Sequence, residues 1–272
     1  MEHIYEAFNI GFSDYFIKFD ISKEVFIERF FGPEGNQLEN SFIAYDKETP
    51  VGVILGGLKN YEGLKTLRCG TLCVIPSHRG LGISDELFRL HKKLAIDKEC
   101  KQLFLEVIVG NDRAIKFYEK FGYEKVYDIK YFTCDLNSSF NNESRVDLEI
   151  KKIEFPKIRS VENYIKDIHI NWQNDFDYMD KIPSLIYYGA YEGDALVGAL
   201  SLNQNGKIFF IWVKSTYRNK GIGRDLLNRA IKENELEKLN IGFPNNSNLE
   251  GFLKRNNFKK DNIAQYEMYL TL

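Results

Sequence analysis

Two short glycine-containing loops occur once in each half of this 272-residue chain, each between an apolar segment and an amphipathic one. The first is Arg79-Gly80-Leu81-Gly82-Ile83-Ser84 and the second is Arg218-Asn219-Lys220-Gly221-Ile222-Gly223. A strand that ends in a glycine turn and opens a helix leaves several backbone N–H groups unpaired at the positive end of the helix dipole. Because such a place attracts phosphate, the pattern predicts two phosphate-binding turns.

The surroundings of the two loops indicate an internal repeat. Arg79 and Arg218 are 139 positions apart, while Asn111 and Asn246, each just after the next apolar segment, are 135 apart. Two domains of one fold explain this spacing. A polar, turn-rich stretch lies between the halves, so we predict domains at 1–137 and 146–272 joined by a linker at 138–145.

Hydrophobic periodicity predicts the same mixed order of helices and strands in both halves. In the first half we expect helices at 5–10 and 23–31, strands at 41–45, 51–58 and 66–74, a helix after the loop, a strand at 102–109, a helix at 113–121, and strands at 123–126 and 130–136. In the second half we expect a strand at 146–153, helices between 156 and 182, strands at 185–191, 195–202 and 208–213, a helix after the loop, a strand at 239–243, a helix at 249–255, and a strand at 264–270. The predicted class is therefore mixed α/β.

Composition excludes several kinds of protein. The formal net charge is -2 with 28% charged residues, and no basic run appears, so nucleic acid is not an expected partner. No long apolar run and no secretory leader are visible, which predicts a cytoplasmic protein that does not enter a membrane. The four histidines lack metal-ligand spacing, and the four cysteines are expected to be reduced thiols. Of the four cysteines, only Cys73, on the strand before the first loop, lies near a plausible active site.

Glu106 is a charged residue within the apolar segment at 102–109. Burying a carboxylate without a partner is costly, so its side chain must reach a cleft, an ion pair or the edge of the sheet. A general base, a structural ion pair and a contact to a substrate ammonium group all satisfy this requirement.

The first loop, the helix after it and the stretch Asn111-Asp112-Arg113-Ala114-Ile115-Lys116-Phe117-Tyr118-Glu119-Lys120-Phe121-Gly122-Tyr123 together resemble the GNAT family of N-acetyltransferases. The resemblance implies, for each half, a mostly antiparallel sheet flanked by helices, with a splayed central strand pair that holds acetyl-CoA. The implied cofactor-binding residues are Leu72, Cys73, Val74, Arg79, Gly80, Leu81, Gly82, Ile83, Ser84, Asn111, Ile211, Trp212, Val213, Arg218, Asn219, Lys220, Gly221, Ile222 and Gly223.

The resemblance also implies catalytic roles. Tyr118 matches the tyrosine that protonates or hydrogen-bonds the CoA sulfur in many members, and we favour this role over the alternative of an aromatic residue on the packed face of its helix. Asn111 matches a residue that contacts pantetheine or caps the helix. A backbone N–H at the bulged strand near Val74 would polarise the carbonyl, and Glu106 is a candidate base.

Departures from the family pattern distinguish the two halves. Ser84 stands where the family prefers glycine or alanine, and the first half begins without the usual first strand. In the second half Leu253 aligns with Tyr118 and Asn257 with Gly122. Because leucine cannot donate a proton, we expect the chemistry in the first half.

We therefore predict an acetyltransferase that moves an acetyl group from acetyl-CoA to a primary amine of a small molecule or protein, by direct attack in a ternary complex. A mirror arrangement places the chemistry in the second half, and a non-catalytic acyl-CoA sensor or interaction module is the alternative class. A dinucleotide-dependent oxidoreductase is disfavoured because neither loop has G-x-G-x-x-G spacing. The sequence leaves the acceptor amine and the oligomeric state open.

Overall fold

The computed structural model describes residues 1–15, 17–18, 20–136, 147–165 and 168–272. The chain forms two compact units, one of residues 1–126 with 266–272 and the other of residues 127–265. The predicted linker at 138–145 lies outside the described residues, so the predicted domain limits stay a prediction. The last segment of the chain, 266–272, belongs to the first unit.

The elements follow the predicted order. In chain order they begin with α1 (Glu2–Gly11), α2 (Lys23–Phe31), β1 (Gln37–Asp46), β2 (Thr49–Tyr61), β3 (Leu64–Val74), α3 (Ile83–Asp97), β4 (Gln102–Ile108), α4 (Asp112–Lys120) and β5 (Glu124–Asp135). They continue with β6 (Glu149–Lys152), α5 (Phe155–Arg159), α6 (Phe176–Asp180), β7 (Ile186–Glu192), β8 (Ala195–Leu202), β9 (Lys207–Val213), α7 (Ile222–Asn234), β10 (Lys238–Phe243), α8 (Ser247–Arg255) and β11 (Lys259–Thr271). Short 3-10 turns occupy Pro76–His78, Ser160–Tyr164 and Ser215–Tyr217.

Polar N-cap residues explain where several helices begin. The side chain of Ser22 accepts a hydrogen bond from the Val25 N–H at the start of α2, as the sequence predicts. Asn111 and Asn246 cap α4 and α8 in the same way. These two asparagines occupy equivalent places in the repeat, which supports the alignment of the two halves.

The sheet of the first unit opens between two of its strands. β1, β2 and β3 are antiparallel neighbours, whereas β3 and β4 are parallel and pair only at 66–68 with 102–104. β3 remains paired with β2 as far as Val74, and Gly70 is the extra residue of a bulge in β3. The expected bulge is therefore at Gly70, and its expected position near Val74 is wrong. The C-terminal part of β11 lies next to β4 in this unit.

The second unit has the same opening. β9 and β10 are parallel and pair only at 207–208 with 240–241. Phe209 is the extra residue between the paired positions of β9 and β8, 139 positions after Gly70. A further strand of this unit, β6, precedes β7 in the chain and pairs with it. In the part of the chain that the structure describes, the first unit has no strand before β1, as predicted.

One strand prediction is wrong. The segments at 123–126 and 130–136 are not two strands, because β5 runs without interruption over Glu124–Asp135. The polar residues near Asp128 resemble a turn, but the strand continues past them: Phe132 and Cys134 are buried and alternate with the partly buried Tyr131 and Thr133. Among the described residues, no helix combines the length and apolar character needed to cross a membrane.

Candidate active site

The two glycine loops have the same backbone conformation. Gly80 and Gly82 have φ of 80° and 80°, and their counterparts Asn219 and Gly221 have φ of 63° and 98°. Gly82 and Gly221 are the N-cap residues of α3 and α7. Left-handed φ favours glycine, and asparagine tolerates it better than most residues. The structure therefore forms two equivalent turns from two different sequences.

The first loop leaves an open cradle of backbone donors. Within the described residues, the N–H groups of 80–84 donate to no protein acceptor. A Cβ built at Gly80 or Gly82 meets no atom within 4 Å, and the Leu81 side chain is exposed. Several unpaired amides at the start of a fifteen-residue helix fit an anionic group such as a diphosphate.

The arginines that begin the two loops differ in their contacts. Arg79 Nε donates to the Val74 carbonyl at 3.0 Å, and Arg218 Nε donates to the Val213 carbonyl at 3.1 Å. The Nη2 group of the same Arg79 guanidinium donates to the Gly11 carbonyl and to the Asp14 carboxylate. The Arg218 side chain is exposed, and it forms no further hydrogen bond or ion pair with the described residues. Arg79 therefore ties the end of α1 to β3 and carries a neutralised charge.

Glycine in the second loop has a packing reason as well. Gly223 is buried, and a Cβ there would lie 3.1 Å from the Phe252 ring of α8. Ile222 is also buried, and the Lys220 ammonium lies 4.9 Å from the centre of the Tyr217 ring. In the first loop Ser84 takes the place of Gly223 and is only partly buried. The two loops thus share backbone shape but not packing.

Two consecutive residues of β3 direct their side chains to opposite faces where β3 and β4 separate. Arg68 is the last residue of β3 paired with β4, and Cys69 follows it. Neighbouring residues on a strand alternate between faces. Cys69 packs in the core cluster that contains α3 and α4 residues, whereas Arg68 contacts Glu34 in the segment after α2. Groups beside Arg68 and Cys69 therefore flank the opening from its two sides.

Tyr118 of α4 lies on the Cys69 side. Its hydroxyl is 3.9 Å from Cys69 Sγ, and its ring contacts Phe88 and Tyr123. Burial raises the pKa of Tyr118 well above its ordinary value, so the phenol is protonated at neutral pH. The ring is packed in the core, as one sequence interpretation has it, and the phenol keeps its proton; its catalytic role stays a prediction.

Glu106 of β4 lies on the Arg68 side. Its Oε2 accepts a hydrogen bond from Arg68 Nε at 2.8 Å, while its buried Oε1 has no hydrogen-bond partner. Burial raises the pKa of Glu106 to about 7, and the attraction of Arg68 only partly offsets this effect. The predicted ion pair exists, and one oxygen of the carboxylate is left to accept a proton near neutral pH.

The remaining predicted site residues of the first unit have structural partners. Asn111 caps α4 through Oδ1, and its Nδ2 donates to the Tyr15 hydroxyl at 3.1 Å. The Cys73 thiol donates to the Ala7 carbonyl, and burial raises its pKa to about 12. A protonated, buried thiol is a poor nucleophile. Of the three strand residues, Leu72 is partly buried, and Cys73 and Val74 are buried.

The second unit lacks both candidate catalytic groups. Core residues of β4 and β10 align with a spacing of 136, as Leu103, Leu105 and Val107 do with Leu239, Ile241 and Phe243. This register places Gly242 where the first unit has Glu106, and the Gly242 carbonyl accepts a hydrogen bond from Asn174. Leu253 stands at the position of Tyr118 and is fully buried.

The strand residues expected to bind cofactor in the second unit lie beside aromatic side chains. Trp212 of β9 is buried, with its ring centre 5.8 Å from that of the exposed Tyr164. Ile211 and Val213, on either side of it, are partly buried and pack against the core cluster of this unit. A strand edge with this environment can bind a ligand through its backbone.

Sequence reasoning missed Arg68 and Glu34. Arg68 lies in an apolar strand, as Glu106 does, and the requirement for a buried charge to have a partner could have paired them. Glu34 has no such signal, because it follows α2 in a polar turn. The contact between Asp14 and Arg79 also joins residues 65 positions apart, which no local pattern indicates.

Comparison with known proteins identifies relatives of both halves. The model of the Acetyltransferase (GNAT) family matches residues 2–123 and 149–258. The chain is 34% identical over 85 residues to the probable N-acetyltransferase san of Drosophila melanogaster, covering 31% of this chain and 46% of that protein. It is 28% identical over 110 residues to N-alpha-acetyltransferase 30 of Dictyostelium discoideum, covering 40% of this chain and 58% of that protein. The chain thus spans about half the length of these two relatives.

A third relative is matched over most of its length. It is the uncharacterized N-acetyltransferase YjcF of Bacillus subtilis, 30% identical over 124 residues that cover 43% of this chain and 84% of that protein.

Solved structures show that the similarity in fold extends over the whole chain. A tandem GNAT protein from the clavulanic acid biosynthesis pathway, solved without acetyl-CoA, has a TM-score of 0.71 at 14% identity and covers 99% of this chain and 94% of its own. A GCN5-related N-acetyltransferase from Sphaerobacter thermophilus has a TM-score of 0.69 at 13% identity, with 99% and 91% covered. Identity this low shows the fold alone. The two segments matched by the family model, together with this likeness in fold to a tandem protein, confirm the predicted tandem form.

Proposed function

This chain belongs to the GNAT family of acetyltransferases, and from that premise we propose that it transfers an acetyl group from acetyl-CoA to a primary amine in its first unit. The observation that carries the proposal is the placement of Tyr118 and Glu106. They lie beside consecutive residues of β3, on opposite faces of the sheet, at the point where β3 and β4 part. The second unit has Leu253 and Gly242 instead.

The first loop supports a role in binding CoA. Its unpaired N–H groups at 80–84 and the open space at Gly80 and Gly82 fit the diphosphate of that molecule. The edge of β3 that has separated from β4, at 72–74, would accommodate the pantetheine arm. Bound acetyl-CoA supplies a thioester whose carbonyl carbon is open to attack.

The side chains then divide two proton transfers. The amine nitrogen forms a bond to the acetyl carbon as the carbon–sulfur bond breaks, which yields an amide and the CoA thiol. Glu106 takes the proton that the amine loses, and Tyr118 donates a proton to the departing sulfur. Exchange with solvent then removes the proton from Glu106 and returns one to Tyr118, so both groups regain their starting states. A carboxylate with a pKa of about 7 and a phenol held protonated by burial suit these roles at neutral pH.

We assign the second unit to binding without catalysis. It retains the turn, the helix N-terminus and the parted strands, but it lacks a proton donor and a carboxylate at the equivalent positions. Its loop supplies exposed cations at Arg218 and Lys220. A second CoA-binding site of this kind would affect how the activity of the enzyme depends on the acetyl-CoA concentration. It would not take part in the acetyl transfer itself.

The proposal is tested by thiol release from acetyl-CoA with a panel of amines: spermidine, tyramine, glucosamine and a short peptide with a free N-terminus. Tyr118→Phe and Glu106→Gln should each lower kcat about 100-fold with the purified chain, because each removes one proton transfer. The KM for acetyl-CoA should change little. The panel spans small-molecule and peptide acceptors. Separately, we expect the protein to act in the cytoplasm.

Tyr123→Phe is the matched control for Tyr118→Phe. The Tyr123 hydroxyl is buried in the same core without a hydrogen-bond partner, so its removal tests the loss of a buried hydroxyl alone. Its kcat should equal that of the unmodified protein. Binding of acetyl-CoA without acetylation of any amine would favour the acyl-CoA sensor. Equal losses in Tyr118→Phe and Tyr123→Phe would remove Tyr118 from the mechanism.

A further inference from the structure

A buried guanidinium joins two carboxylates on the Glu106 side of the opening. Arg68 Nε bonds Glu106 Oε2 at 2.8 Å, and Arg68 Nη1 bonds Glu34 Oε2 at 2.9 Å and the Glu34 carbonyl at 3.2 Å. All three side chains are only 5% exposed. Water therefore screens these charges weakly, and each one strongly affects the others.

Other elements also direct ionisable groups at Glu106. Glu267 of β11 repels its charged form, and the Tyr61 and Tyr269 hydroxyls of β2 and β11 interact with it electrostatically. One guanidinium thus bonds two carboxylates, and a third carboxylate repels the charged form of one of them. Such a cluster cannot hold every carboxylate ionised at low cost, so one of them takes up a proton most readily.

Between the two carboxylates that bond Arg68, the geometry selects Glu106 as the one that takes up a proton more readily. Glu34 interacts with two arginines, since its Oε1 is also 3.7 Å from Arg29 Nε. Glu106 has one arginine, and its second oxygen is buried without a hydrogen-bond partner. The shared contact with Arg68 also fixes the Glu106 carboxylate through Oε2, which leaves Oε1 as its only open acceptor.

We propose that Arg68 is a positioning residue for acetyl transfer and that Glu34, by sharing its guanidinium, determines how readily Glu106 takes up a proton. The effect on turnover rests on the proposed function, because it requires Glu106 to be the proton acceptor. The electrostatic arrangement itself does not depend on that role. The two partners act with opposite sign: the guanidinium favours the charged carboxylate, and the second carboxylate disfavours it.

The test is a direct titration of Glu106 by NMR in the full chain labelled with carboxyl-¹³C glutamate. Loss of a signal in Glu106→Gln assigns its resonance. In Glu34→Gln the midpoint for Glu106 should fall by about one pH unit, because a neighbouring negative charge is lost. In Arg68→Gln it should rise, because the attraction is lost. Glu39→Gln makes the same change at an exposed glutamate and should leave the midpoint in place.

Opposite shifts in the two variants support the proposal, and shifts of the same sign or no shift in Glu34→Gln overturn it. Should Arg68→Gln fail to fold, Glu34→Gln decides the outcome alone. The pH dependence of kcat/KM, measured with an amine found active in the acceptor panel, should show its acidic limb moving with the same sign as the midpoint.

The two proposals fail separately. Shifted midpoints without acetylation of any amine contradict the acetyltransferase function only. Acetylation with an unshifted midpoint in Glu34→Gln contradicts only the inference about Arg68 and Glu34.

Discussion

The two units share one backbone arrangement and differ in the side chains that surround it. Both have a bulged strand, a partly paired parallel strand and a helix that begins after a left-handed turn. In the first unit the opening is flanked by Arg68, Glu106 and Tyr118; the equivalent residues of the second unit are Lys207, Gly242 and Leu253. The comparison teaches that the backbone shape proposed to bind CoA is separable from the side chains proposed to carry out the chemistry.

The most severe test of this comparison is a glutamate in each loop. Gly82→Glu places a carboxylate in the first cradle, at a φ of 80° that favours glycine. Acetyl-CoA affinity of the first site should fall by at least about 100-fold, because the new charge repels the diphosphate, and amine acetylation should fall with it. Gly221→Glu should remove one calorimetric binding site and leave turnover largely intact.

Gly63→Glu is the control for both loop variants. Gly63 has a φ of 79° in the turn between β2 and β3, and a Cβ there meets no atom within 4 Å. It therefore carries the same backbone strain and the same charge, but away from both loops. If Gly221→Glu abolishes acetylation and Gly82→Glu does not, the chemistry belongs to the second unit and the assignment is reversed.

Many features that the two units share can be predicted from the sequence, because the signals for them are local. Glycines with left-handed φ, the asparagine caps at Asn111 and Asn246, and the spacing of the apolar residues each act over a few residues. They predict the paired turns and the helices after them, whereas the parted strands are implied only by the resemblance to the family. The replacement of Tyr118 by Leu253 is likewise visible from register alone.

Contacts between distant segments explain what the sequence does not show. The neutralisation of Arg79 needs Asp14, and the sharing of Arg68 needs Glu34, which lies 34 positions before it. The membership of 266–272 in the first unit depends on the pairing of a strand far along the chain. Such pairings are determined by packing, and residue pattern carries little information about them.

A second difference between the units is a buried histidine. His91 of α3 is fully buried, and neither ring nitrogen has a hydrogen-bond partner; the equivalent residue of α7 is Ala230. Burial lowers the pKa of His91 to about 3. The unfolded chain therefore binds the proton first, and stability of the first unit should fall as the pH drops from about 6.5 toward 3.

Hydrogen exchange of peptides from α3 and α7 can measure this effect in each unit. Between pH 6.5 and pH 5 the opening free energy of α3 should fall by about 2 kcal/mol more in the unmodified chain than in His91→Leu. Glu106, whose pKa is raised to about 7 by burial, acts in the opposite direction, but it is common to both proteins and cancels. An identical pH dependence in both proteins would contradict this, because it would show that His91 takes up its proton as readily in the folded state as in the unfolded state.

The smallest expected effect concerns the exposed arginine of the second loop. Among the described residues the Arg218 side chain makes one hydrogen bond, to Val213, whereas the Arg79 side chain bonds Val74, Gly11 and Asp14. In a Gly82→Glu background, which isolates the second site, Arg218→Ala should weaken acetyl-CoA binding about fivefold at low salt, and less at high salt. Arg79→Ala should instead lower the melting temperature by about 3–6 °C, because it removes bonds within the first unit.

Arg229→Ala is the control for Arg218→Ala. It removes a half-exposed cation from α7, the helix that follows the second loop, where Arg229 pairs with Glu233. Its acetyl-CoA affinity should match that of the Gly82→Glu background. If Arg218→Ala and Arg229→Ala weaken binding equally, general charge rather than the loop arginine attracts the ligand, and the contrast drawn between Arg79 and Arg218 has no consequence for binding.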